Sequence, residues 1–181
     1  GLQPDTLYHY NFGGVGPDGT VYRSKDSTFR TLPLTESAVP APAGRNLALL
    51  SSGGSIAGSS SSFGGSDEGA WAAVRAIDGD PRTQWSSAGD GAWIEIELPS
   101  LTLVTSIGLW SRTMGTSAQI LSFQVVTDLG ETHGPYSVPD AAGVHYFDVD
   151  LTARGLRFEA TQTSGGNTGA VEIEVYGNPA S

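Results

Sequence analysis

Two runs of apolar–polar alternation constrain the fold of this 181-residue chain more than any other feature. Trp93-Ile94-Glu95-Ile96-Glu97-Leu98 alternates as a half-buried strand does, and so does Gly169-Ala170-Val171-Glu172-Ile173-Glu174-Val175-Tyr176-Gly177 near the C-terminus. A period of two puts successive side chains on opposite faces, which a helix cannot satisfy. The 25 glycines and abundant Ser and Thr supply the many turns of an all-β protein. Further strands are predicted at 104–110, 120–127, 145–150, 155–161 and 171–176, with a helical turn over 70–74. Residues 53–65, rich in Ser and Gly, read as a strand end and a long loop, and Asp128-Leu129-Gly130 as a hairpin turn.

Between the helical turn and the first alternating run lies Ala76-Ile77-Asp78-Gly79-Asp80-Pro81-Arg82-Thr83-Gln84-Trp85. Asp-Gly asks for a turn with positive φ at the glycine, and Pro81 stiffens the rest of the loop. The Asp78 carboxylate, the Thr83 hydroxyl and nearby loop carbonyls are oxygen donors suited to one hard cation, calcium above all. The competing reading is an Asp-Gly turn whose carboxylate accepts backbone N–H bonds and holds no ion.

The order AIDGDPRTQW, WIEIEL, LRFEA and SGGNTGAVEIEVYG resembles the discoidin, or coagulation factor 5/8 type C, superfamily. It looks most like that fold's bacterial carbohydrate-binding modules, over roughly residues 46–177. The resemblance implies a jelly-roll β-sandwich over 46–181. It also implies a structural Ca²⁺ held by the carbonyls of Arg75, Asp80 and Val171, the carboxylates of Asp78 and Glu172, and the hydroxyl and carbonyl of Thr83. Residues 1–33, with L-x-P-x-T-x-Y and T-F-R-T, resemble the last two strands of a fibronectin type III domain, in which the Tyr8 hydroxyl ties back to the backbone. Two strands do not make a stable sandwich alone, so the chain is expected to be a piece of a longer protein or to share strands with a neighbour. Residues 34–45, alternating Pro and Ala, read as a semi-rigid linker.

The net charge of −10 and the absence of basic clusters argue against nucleic acid and against docking on anionic lipid. No cysteine is present, which removes disulfides, thiol catalysis and zinc–thiolate sites. The three histidines, His9, His133 and His145, do not stand at metal-ligand spacing, and no nucleophile elbow, zinc-protease or P-loop pattern occurs. Glu95/Glu97 and Glu172/Glu174 each share a strand face, the usual mark of a solvated surface rather than an acid–base pair. A non-catalytic module is expected.

Ligand binding remains. Sugars stack an apolar face on an aromatic ring while polar side chains fix their hydroxyls. The resemblance makes Arg112, closing Leu109-Trp110-Ser111-Arg112, and Asn167 candidate glycan contacts. The loop at Asn167 lacks the aromatic that often accompanies it, and Phe63 and Trp71 are the candidate replacements. Each has a structural alternative: Arg112 as a surface side chain, Asn167 as a turn residue, Trp71 packed inward, and Trp85 and Trp93 in the core. The leading expectation is a secreted or cell-surface carbohydrate-binding module tethering a larger protein to a glycan or polysaccharide. The alternative is a structural, assembly or adhesion module that self-associates through its fibronectin-like strands; membrane binding is not favoured.

Overall fold

A computed structural model describes residue 3, residues 6–30 and residues 41–180. The proposed linker over 34–45 lies outside the described residues as far as residue 40. The chain divides into two compact units, Gly1–Ala38 and Val39–Ser181.

In the first unit each expected strand is interrupted once. β1 (Leu7–Tyr10) pairs antiparallel with β4 (Ser27–Arg30), and β2 (Gly13–Val15) with β3 (Val21–Arg23). The result is one long hairpin of two nested ladders, joined where the Phe12 N–H meets the Ser24 hydroxyl at 2.8 Å and Ser24 N–H returns to the Phe12 carbonyl at 2.8 Å. Its turn is set by Gly19 at φ 82° and by Asp18, whose carboxylate accepts from Thr20 N–H and hydroxyl. The Tyr8 hydroxyl accepts from the Gln3 N–H. Tyr8 stacks on Phe29 with centroids 5.5 Å apart, and Tyr10 joins them.

The second unit is one six-stranded antiparallel sheet folded into two layers, a jelly-roll β-sandwich. β5 (Ser55–Ser59), β6 (Trp93–Ser111), β7 (Ile120–Thr127), β8 (Thr132–Ser137), β9 (His145–Thr163) and β10 (Ala170–Pro179) run in spatial order β10-β6-β9-β7-β8, with β5 against β6. β6 and β9 each absorb two segments that the sequence divides. Register breaks between Glu97 and Thr102 and between Val104 and Ser106 bend these 19-residue strands from one layer into the other. Bulges turn corners without ending a ladder. The sequence shows the corner, Pro99-Ser100-Leu101, as a break; the ladder with β9 does skip these residues, but it resumes at Thr102. β5 and β8 are strands the pattern did not reveal. β8 alternates only weakly and contains a cis Gly134–Pro135 bond, while β5 is a short edge strand rich in Ser and Gly. The helical turn is a 3₁₀ segment at Ala73–Ile77, three residues later than expected.

Alternation places the core as anticipated. Ile94, Ile96 and Leu98 point inward against Leu156, Phe158, Phe123 and Val125, and from the other layer come Val104, Ile107, Leu109, Ile173 and Val175. Phe123 is fully buried and contacts Phe158, Phe147 and Tyr136, all with centroids under 6 Å. Phe123→Ala is expected to cost about 3–5 kcal/mol of unfolding free energy, read from chemical denaturation. Trp85 is in the core, as expected. Trp93 is not fully so: it is half-buried, with the Arg157 guanidinium 4.0 Å above its ring, because β5 and β9 cover only one side of it.

Candidate functional site

The Asp-Gly loop is locked onto β10 by backbone bonds. Trp85 N–H donates to the Ala170 carbonyl at 2.8 Å, and Ser87 N–H to Thr168 at 2.8 Å. Gly169 is required here, since a Cβ would lie 2.1 Å from the Trp85 carbonyl oxygen. Trp85 Nε1 donates to the Ser61 carbonyl at 2.9 Å, so the buried indole leaves no orphan donor. These contacts lay the loop beside Glu172.

Within the loop, Gly79 takes φ 76° and Asp78 folds its carboxylate inward. Asp78 accepts from Asp80 N–H at 2.9 Å and from the Thr83 hydroxyl at 2.8 and 2.9 Å. The same hydroxyl lies 3.0 Å from the Asp80 carbonyl oxygen. Asp80's own carboxylate turns outward into the Arg82 fork, at 2.7 and 2.8 Å, and those hydrogen bonds hold its pKa down to about 2. Only its carbonyl is therefore left facing Thr83. The Arg75 guanidinium approaches Asp78 at 3.5 Å.

Across from this cluster stands Glu172. It is not on the solvated face expected of the Glu172/Glu174 pair: a bulge after Ala170 shifts the alternation, Glu172 is 6% exposed, and neither carboxylate oxygen has a hydrogen-bond partner among the described residues. Burial, then the charge of Asp78, pushes its pKa up to about 8; the nearby Gly79 N–H offsets part of this without reaching hydrogen-bond geometry. A buried, unpartnered carboxylate facing another is unfavourable unless something positive lies between them. The turn without an ion accounts for Asp78 and leaves Glu172 unexplained. A register break between Ala170 and Glu172 takes Val171 out of the ladder with β6, as a ligand carbonyl would require. No group of three or more His, Cys, Asp or Glu at metal-holding distance occurs among the described residues. That is compatible with two carboxylates supplemented by hydroxyl and backbone oxygens, a donor set suited to Ca²⁺.

The ligand candidates converge at the end of β6. Arg112 is not the surface side chain of the alternative reading: it is 5% exposed. Nη1 donates to the Asn167 carbonyl, Nε to Gln84 Oε1 at 3.3 Å, and the guanidinium lies 5.7 Å from the Trp71 centroid, within cation–π range. Burial pushes its pKa below the ordinary arginine value. Asn167 thus meets Arg112 through its backbone, the side chain remaining half-buried. Phe63 joins through the main chain: its N–H donates to Ser86 at 2.7 Å, and Ser86 N–H to Trp71 at 3.2 Å. Its ring is half exposed. Gln84 was missed by sequence reading; its place between the loop threonine and the core tryptophan is the signal that it projects opposite Trp85.

The fold is shared with carbohydrate-binding proteins. The family 32 carbohydrate-binding module of NanJ from Clostridium perfringens, solved with galactose, superposes at TM-score 0.56 with 20% identity, over 67% of this chain and 92% of that one. A chitosan-binding module from a Paenibacillus sp. IK-5 chitosanase/glucanase gives TM-score 0.52 and 26% identity, over 74% and 100%. Striped bass (Morone saxatilis) serum fucolectin gives 0.61 and 18%, over 77% and 50%. No curated protein sequence matches the chain. Residues 55–175 match the family model of the F5/8 type C domain, and the chain belongs to that family.

Proposed function

We propose that the second unit is a non-catalytic glycan-binding module of an extracellular protein, with its ligand at Arg112, Trp71, Phe63 and Asn167. The observation that carries this reading is the buried Arg112, oriented at once by the Asn167 carbonyl, Gln84 and the Trp71 ring. A guanidinium fixed by three neighbours is pre-organised to direct its remaining N–H groups at sugar hydroxyls, while the exposed Phe63 ring offers a face for stacking. Galactose and chitosan in the names of the similar modules support the ligand class. A shallow site of this kind binds at roughly micromolar to millimolar Kd, useful when it tethers a larger protein.

Ca²⁺ in this reading bridges Asp78 and Thr83 of the loop to Glu172 of β10, with carbonyls of Arg75, Asp80, Thr83 and Val171 completing the shell. Its role is structural: it supplies the positive charge that Glu172 lacks. The first unit is read as fibronectin-like, on the Gln3–Tyr8 hydrogen bond. Its exposed Tyr10, Phe12 and Phe29 favour a second role, in assembly through strand sharing. Analytical ultracentrifugation tests that role, and a monomer at high micromolar concentration would remove it.

A glycan array probed with the chain in calcium tests the leading reading. Binding to a defined glycan group is the expected result. A folded protein that binds none would refute it.

A further inference from the structure

Ala118 alone among the described non-glycine residues adopts a positive φ, 69°. In that region an L-residue crowds its Cβ against a carbonyl oxygen, and only glycine enters freely. Ala118 is also fully buried. Strain of this kind persists only where the surroundings over-determine it, and it collects at ligand clamps.

The surroundings do over-determine Ala118. It stands at the foot of a loop, residues 113–119, that leaves β6 directly after Arg112. The tip of this loop is closed on itself. Met114 N–H donates to the Ser117 carbonyl at 2.9 Å, and Gln119 Nε2 to the Thr113 hydroxyl at 2.9 Å and the Gly115 carbonyl at 3.1 Å. Its foot is stitched to the turn that follows β9. Ala118 N–H donates to the Gly165 carbonyl at 2.6 Å, Gln119 N–H to the Ser164 hydroxyl at 3.0 Å, and Ser164 N–H to the Gln119 carbonyl at 3.0 Å. The facing turn is made by Gly165 and Gly166, at φ 78° and 86°. One residue further, the Asn167 carbonyl accepts from Arg112 Nη1, and the Gly169 carbonyl accepts from Arg112 N–H at 3.1 Å. The segment that grips Arg112 is thus the segment that Ala118 holds.

We propose that Ala118 is a positioning residue for Arg112: its left-handed turn fixes the 164–168 loop and so aims the Asn167 carbonyl at the guanidinium. The proposal rests on the glycan-binding reading and deepens it, by assigning what keeps the central side chain in place. Glycine would make the same turn without strain, but it would also range over much of positive φ. Alanine's left-handed well spans only about +50 to +70°. The narrow well gives the N–H that meets Gly165 one direction, and the strain is the cost of that precision.

The test is Ala118→Gly in the full chain, with three readouts. Proton exchange of the Arg112 Nε–H, followed by NMR, reports how firmly the guanidinium is held. Calorimetry on the glycan found by the array gives Kd, and a thermal melt gives Tm. Tm is expected to stay within about 2–4 °C of wild type, because relief of strain offsets the lost methyl contact. Exchange at Arg112 should nevertheless speed up by about two- to fivefold, with Kd raised by a similar factor. Gln119→Ala frees the loop tip while leaving Ala118 in place, and should leave Arg112 exchange unchanged. Unchanged exchange in Ala118→Gly overturns the proposal, whether or not Tm falls. So does an effect in Gln119→Ala as large as that in Ala118→Gly, which would assign the role to the loop tip. Faster exchange in a chain that binds no glycan sustains the positioning and refutes the glycan reading instead.

Discussion

Chelating calcium is expected to lower the Tm of the second unit by about 8–16 °C, and adding calcium back should restore it. An ion present at a thousand times its Kd contributes about 4 kcal/mol. For a domain of this size each kcal/mol moves Tm by about 2–4 °C. The effect should depend on Glu172, the residue with most to gain from a cation. In Glu172→Gln the calcium response should vanish, while the chelated variant should be at least as stable as chelated wild type at pH 8, because the buried charge is gone.

The chelated wild type should also show a pH dependence of definite sign. The Glu172 carboxyl has a folded pKa of about 8 against an ordinary 4.5, so the folded state binds more protons between those values. Stability is then full below about pH 4.5, falls as pH rises, and levels off above about pH 8. The total loss is on the order of several kcal/mol. Thermal melts in a chelator across that range read it directly. A flat profile that calcium does not alter would contradict the cation assignment.

The second large effect concerns Arg112. Arg112→Lys keeps the charge and loses the fork that meets Gln84 and the Asn167 carbonyl together. Hydrogen bonds involving a charged group contribute about 1.5–3 kcal/mol, so glycan affinity should fall by about 10- to 150-fold. The position is buried, so a modest drop in Tm is expected as well. Calorimetry on the glycan found by the array separates the two effects: a drop in Tm without loss of affinity would make Arg112 a structural residue only.

Much of this was legible in the chain. Period-two alternation located the inward residues of β6 and, in β10, Ile173 and Val175, since strand geometry fixes which side chains share a face; it misplaced Glu172, which the bulge after Ala170 turns into the protein. The Asp-Gly loop announced its turn, and Asp78 and Thr83 lie close enough in sequence for local backbone geometry to bring them together. The chain resemblance, not the pattern, connected that loop to Glu172. The continuity of β6 and β9 was not legible, because a bulge looks the same in sequence as a strand end. β8 was hidden by its glycine and proline.

Sequence by itself determined the all-β class, most of the core faces and the Asp-Gly turn, because these follow from side-chain period and local turn preference. Tertiary structure alone decided which distant groups meet: Glu172 with the Asp78 loop, Arg112 with Trp71, Gln84 and Asn167, and Glu174 with Tyr146 and Tyr176. Such meetings depend on strand order and register across the folded sheet, and whether a charge is satisfied depends on what the fold buries beside it.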